Sequence, residues 1–172
     1  MNRLILVDEN DVPLGTAEKM EAHEKALLHR AFSVFIFNSK GEMLLQQRAI
    51  NKYHSGGLWT NACCSHPYFE QDTLAAAGKR LQEEMGFTTT LTRAFEFVYK
   101  ANFDNGLTEH EYDHVFIGEY DGTVLPDESE VENFCYMSMN ELKEAMELHP
   151  QKYTAWFKIA LPKLEKYLAA NI

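Results

Sequence analysis

The chain has 172 residues, a formal net charge of −10, 45% apolar residues, 12% aromatics and three cysteines. That length and composition predict one domain spanning residues 1–172, with a core that closes without staples, and exclude a disordered chain. The charge opposes nucleic acid except where basic residues cluster, no apolar run can cross a bilayer, and three cysteines without an export signal point to the cytoplasm.

LILV at 4–7 predicts a short strand and DVPLG at 11–15 a turn. Residues 16–30 are polar, with scattered histidines, and read as irregular or briefly helical. AFSVFIF (31–37) is a buried strand; NSKG (38–41) turns the chain and EMLLQQR (42–48) returns as a hairpin. From 72 to 86 the period becomes helical, with Leu74, Ala77, Gly78, Leu81 and Met85 in phase, Asp72 as N-cap and Gly86 as stop. Strands follow at 90–100, 111–120 and 132–139, then a helix at 140–148. A helical tail runs from 151 to 170, in which Pro162 should kink or restart the helix. These elements predict an α/β or α+β fold with a mixed β-sheet flanked by helices.

Parity picks out the chemistry. In a strand, residues two apart share a face, so EHEYDH (109–114) sets Glu109 with Glu111 and turns His110 away with Tyr112 and His114. An extended ACCSH (62–66) sets Cys64 with His66 and leaves Cys63 facing the core. With His23 and His29, the residues His66, Glu109 and Glu111 make a three-nitrogen, two-carboxylate set suited to Mn²⁺, Mg²⁺ or Zn²⁺. Taken singly each residue has a plainer reading: Arg48 and Lys52 as a surface pair, Trp156 as core, Tyr99 as a sheet aromatic, Glu83 and Glu84 as a solvated helix face.

KRLQEEMGF (79–87) resembles the end of the Nudix box. With Gly86 as register, Lys79 falls on the box arginine, Glu83 and Glu84 on its glutamate pair, Ser65 on its opening glycine, Gln71 on its earlier glutamate, and Arg80 on a glutamate. A positive charge at a metal-binding position argues against a pyrophosphohydrolase.

Together with LLHRAFSVFIFN, LLQQR, WTNACCSHP and EHEYD, this altered helix resembles the type I isopentenyl-diphosphate isomerases, a Nudix-fold family. The resemblance runs from about Leu4 to Trp156. It implies a shift of the double bond of isopentenyl diphosphate to give dimethylallyl diphosphate, through a tertiary carbocation. It assigns catalysis to Cys64, Glu111 and Tyr99, and cation stabilisation to Trp156. A divalent metal falls to His23, His29, His66, Glu109 and Glu111. A Mg²⁺ bridging the diphosphate falls to Glu84, and the diphosphate itself to Lys19, Arg48, Lys52 and Arg80. The implied partner is a small allylic or homoallylic diphosphate, with no nucleic acid and no membrane, and the protein is expected to be a monomer. For Cys64 to act as a base, nearby cations are expected to lower its pKa from roughly 8.5. The competing readings are a Nudix pyrophosphohydrolase and a non-enzymatic metal-binding module.

Overall fold

A computed structural model describes residues 3–171. Its third strand, β3 (His29–Phe37), organises the fold, because its AFSVFIF run carries apolar side chains on both faces and the strand is buried along nearly its whole length. Around it lie β1 (Arg3–Val7), β2 (Pro13–Glu18), α1 (Lys19–Glu24), β4 (Met43–Arg48), β5 (Trp59–Thr60), β6 (Cys63–Ser65) and α2 (Thr73–Met85). Next come β7 (Leu91–Asn102), β8 (Thr108–Glu119), β9 (Val131–Met137), α3 (Met139–Leu148), a 3₁₀ turn (Pro150–Lys152) and α4 (Ala155–Ala170). Among the described residues, nine strands form one mixed sheet.

Register places the chemistry. β3 pairs parallel with β8, setting His29 beside Glu111, and β7 pairs antiparallel with β8, setting Tyr99 beside Glu111. On its other side β3 pairs antiparallel with β6, setting Ser33 beside Cys64 and Val34 beside Cys63. A one-residue slip in any of these ladders would turn the functional side chains into the opposite layer.

Two apolar layers sandwich the sheet. Phe32, Val34, Ile36, Cys63 and Phe116 pack beneath Leu81 and Met85 of α2. Phe35, Met43, Leu45 and Val115 face Leu142 of α3 and Trp156, Phe157, Leu161 and Leu164 of α4. Each fully buried aliphatic or aromatic side chain contributes roughly 1.5–3 kcal/mol of transfer free energy. The Asp72 side chain caps α2 by accepting from the Ala75 amide at 3.0 Å. Gly86 ends it at φ 76°, and a Cβ there would sit 2.4 Å from the Leu125 carbonyl, so the stop must be glycine.

Several sequence expectations need correction. The turn lies earlier than 11–15: Asp8 anchors it by accepting from the Asn10 and Val12 amides, and Pro13–Glu18 is the strand β2. Residues 19–24 form α1, the brief helix that the reading of 16–30 allowed, whereas β3 begins at His29 rather than 31. The 31–48 hairpin closes only at Phe37 and Met43, after which β3 joins β8 and β4 joins β9. Local pattern cannot foresee that divergence, because it is set by partners far along the chain. Pro162 neither stops nor restarts α4, which runs unbroken across it with Leu161 and Leu164 buried. Among the described residues no helix is long and apolar enough to cross a membrane.

Candidate active site

One pocket, with about 540 Å³ of empty space partly open to solvent, opens beside β3 and contains the exposed portions of nearly every predicted site residue. Its inner end is a buried cluster of histidines and carboxylates. Glu111 Oε2 lies 3.2 Å from His29 Nε2 and 2.8 Å from His66 Nε2. Glu109 Oε2 lies 3.7 Å from His23 Nε2. Tyr99 Oη joins the two carboxylates, 2.9 Å from Glu109 and 2.5 Å from Glu111. The phenol has one hydrogen and donates it to one carboxylate; the other contact is favourable when that carboxyl carries a proton of its own. The three groups thus form a short chain able to hold a proton.

The histidines fit a divalent ion. His23 Nδ1 lies 2.7 Å from the Lys19 carbonyl and His29 Nδ1 lies 2.9 Å from the Leu27 carbonyl. A carbonyl only accepts, so each Nδ1 carries the hydrogen, and in the neutral form that ligates a metal each ring turns its Nε2 lone pair inward. Those lone pairs meet carboxylate oxygens, acceptor against acceptor, and His23 Nε2 is buried with no hydrogen-bond partner. A cation between them removes the conflict. His23, His29, His66 and Glu111 converge within 4.8 Å of one another. His23 also converges with Glu109 and His54. Burial lowers the His66 pKa to about 4, which keeps its ring neutral and able to ligate. Burial works against the Glu111 charge, but His66 and His29 overcome it and hold that carboxyl well below the usual range.

Cys64 sits at the side of the pocket. As parity predicts, it shares that wall with His66, while Cys63 is fully buried in the α2 layer. The Cys64 sulfur lies 3.2 Å from Asn61 Oδ1 and 3.4 Å from Ser33 Oγ, and Ser33 donates to Asp113 Oδ2 at 2.7 Å. The expectation that cations lower this thiol is not met. Burial first, then the Asp113 charge, pushes it up, and its nearest polar neighbours are neutral. At rest Cys64 is a thiol.

The outer end is cationic. Arg48 lies 5.1 Å over the ring of Trp156, and Lys19 lies 4.7 Å over the ring of Tyr53. Trp156 is therefore both a buried core residue and part of the pocket wall, with a guanidinium already on its face. Lys52 pairs with Glu130, and Arg80 pairs with Glu84 and, at 3.2 Å, with Glu130. Glu84 also accepts from Gln46 Nε2 at 3.0 Å. Both Glu84 oxygens thus have donors, and a Mg²⁺ here fits only as one carboxylate ligand supplemented by oxygens of a bound diphosphate.

The structure gathers all thirteen anticipated residues around this pocket or the histidine cluster behind it. It adds several that sequence reasoning passed over. Asp113 follows Glu109 and Glu111 by the same parity. Ser33 is the one polar residue within the apolar run of β3. His54, Tyr53 and Glu130 carry no periodic signal, because they stand on irregular segments.

Comparison with known proteins now defines the class. Residues 27–157 match the NUDIX domain model. In three dimensions the chain is similar to the MutT protein from Methanosarcina mazei, at a TM-score of 0.66 and 18% identity over 84% of this chain and 95% of that one. It is also similar to a MutT NUDIX hydrolase from Burkholderia pseudomallei, at a TM-score of 0.61 and 19% identity over 78% and 96%. At such identities the likeness speaks for the α+β fold alone. Sequence narrows the class: the isopentenyl-diphosphate Delta-isomerase of Pectobacterium atrosepticum is 48% identical over 99% of this chain and 95% of its own length. That of Burkholderia multivorans is 49% identical over 96% and 97%. The chain belongs to the isopentenyl-diphosphate Delta-isomerase family of NUDIX-domain proteins.

Proposed function

We propose that this chain is a single cytoplasmic, monomeric isomerase domain that converts isopentenyl diphosphate to dimethylallyl diphosphate. The observation that carries the reading is one pocket with an acid chain at its inner end, a thiol at its side and four cations at its mouth. Such a pocket binds a small anionic molecule despite the net charge of −10, and the same charge disfavours nucleic acid.

Tyr99, which burial keeps protonated, carries the proton of the Glu109–Tyr99–Glu111 chain at rest and delivers it to the terminal alkene carbon, directly or by relay through Glu111. A divalent ion held by His23, His29, His66, Glu109 and Glu111 would supply positive charge that makes the carboxyl proton easier to release. The resulting tertiary cation faces the indole of Trp156; such a contact is worth about 2 kcal/mol when desolvated. Cys64 then removes a proton from the adjacent carbon. Its resting thiol must first be deprotonated: the proton passes through the Ser33 hydroxyl to the buried Asp113 carboxylate, and Asn61 holds the sulfur at the wall. Lys19, Arg48, Lys52 and Arg80 hold the diphosphate, with a Mg²⁺ between it and Glu84, and this remote binding energy positions the alkene.

The test is proton NMR of isopentenyl diphosphate with the protein and Mg²⁺ in deuterated water. The expected product is dimethylallyl diphosphate carrying deuterium in a methyl group, with no released phosphate. Phosphate release would favour a hydrolase instead.

A further inference from the structure

Two of the cations assigned to the diphosphate stand on different elements. Lys52 lies in the irregular 49–58 loop and Arg80 on α2, yet a single carboxylate oxygen, Glu130 Oε2, receives both. Lys52 donates to it directly, and Arg80 Nη2 lies 3.2 Å away. The segment that carries Glu130 is tied by its backbone to both elements. The Leu125 amide donates to the Met85 carbonyl at 3.0 Å and the Asp127 amide to the Glu84 carbonyl at 2.9 Å, which fixes the segment to the end of α2. The Ala49 amide donates to the Glu130 carbonyl at 3.0 Å, which fixes the start of the loop. The carboxylate is thus aimed by a short rigid bridge.

We propose that Glu130 is a positioning residue, a built-in counter-ion that holds Lys52 and Arg80 converged on one point so that the diphosphate meets a formed site. The inference rests on the reading that these two residues hold the diphosphate. Without an anion, like charges at the pocket mouth push one another apart. Lys19 registers that crowding: burial first, then Lys52, Arg48 and Arg80, lower its pKa. Long basic side chains also lose rotamer freedom when a ligand fixes them, and a carboxylate that fixes them beforehand removes that cost from binding. Arg80 is further restrained by Glu84 through its Nε, and Glu83 Oε1 lies 3.9 Å from its Nη1.

The test is calorimetric titration of inorganic pyrophosphate with Mg²⁺ into wild type, Lys52→Gln, Arg80→Gln, Glu130→Gln and the Lys52→Gln/Glu130→Gln double variant. Steady-state kinetics are run on the same samples. Glu130→Gln is expected to weaken pyrophosphate and raise KM by roughly tenfold, with kcat within about twofold of wild type. The Lys52→Gln effect is expected to shrink in the Glu130→Gln background, because both changes disable one arrangement. Tighter binding by Glu130→Gln would overturn the inference and make the carboxylate a competitor of the diphosphate. Strict additivity, or a fall in kcat matching the loss of binding, would also overturn it. If Lys52→Gln and Arg80→Gln bind pyrophosphate like wild type, the diphosphate assignment itself fails and the inference falls with it.

Discussion

The two ends of the pocket are built by different means. At the inner end most functional side chains stand on a strand or directly after one, with His23 added from α1, and burial is almost complete: Glu109 and Glu111 are each 5% exposed and His23 and His29 are fully enclosed. At the outer end the cations come from the start of α1, the end of β4, a loop and α2, and are held by carboxylates (Lys52, Arg80) or lie over aromatic faces (Lys19, Arg48) rather than in a ladder. The inner end owes its geometry to backbone register, which tolerates no slip. The outer end owes it to ion pairs and cation–π contacts, which tolerate substitution one charge at a time. On the proposed reading, the chemical step that needs fixed distances falls to the sheet, and anion capture to the side chains of the rim.

If that division holds, breaking the inner end has the largest effect. Glu111→Gln keeps the shape but removes the acid and a metal donor. Isomerisation is expected to fall by about 10³-fold or more, measured as dimethylallyl diphosphate formed in deuterated water. Cys64→Ala is expected to match it. A loss of less than tenfold in either would show that the inner end does not carry the proton transfers.

Removing the metal strikes the same end through stability. Chelation leaves two buried carboxylates meeting at Tyr99, with inward lone pairs unopposed. At an ion concentration 100 times its Kd, the bound state gains about 2.7 kcal/mol. Melting temperature is therefore expected to drop on chelation and to recover as Mn²⁺ is added back. His23→Ala, which removes a ring nitrogen that has no other partner, is expected to flatten that recovery.

At the outer end, Arg48→Gln is expected to raise KM for isopentenyl diphosphate by roughly tenfold with a smaller change in kcat, since it removes one of several charges that act on binding. A kcat loss as large as that of Cys64→Ala would erase the distinction, and would indicate that the guanidinium over Trp156 belongs to the chemistry.

The same contrast explains what the sequence made legible. Parity alone separated Glu109 and Glu111 from His110, and Cys64 from Cys63, because alternation in a strand is a property of the backbone. The five residues proposed as metal ligands come together in two overlapping groups, His23, His29, His66 and Glu111 in one and His23 with Glu109 in the other, although His23 lies 88 positions from Glu111. His54 could not be foreseen: its Nε2 is 3.4 Å from Glu109, but it is held there by a loop whose path no periodicity encodes. Glu130 was equally hidden, being recognisable only once Lys52 and Arg80 have been brought to it. The thiol of Cys64 was misjudged for a related reason. Cations occur in the same pocket, but stacking on Trp156 and pairing with Glu84 and Glu130 place them elsewhere, and burial decides.

The smallest expected effect on activity lies one residue away from one of the largest. Cys63 and Cys64 are neighbours on β6, and the strand turns them into different layers. Cys63 is fully buried beside Val34, Leu81 and Met85, and burial pushes its thiol well above the ordinary range, so it has neither access nor charge. Cys63→Ala removes only the sulfur and leaves a small void in the α2 layer, at a position that is not part of the pocket lining. The expected cost is about 1 kcal/mol of stability, read by denaturant titration, with kcat and KM within about twofold of wild type. If Cys63→Ala instead lost activity in proportion to Cys64→Ala while keeping its stability, the parity of β6 would be wrong. His66 would then face the core, and the inner end of the pocket would have to be rebuilt on the other register.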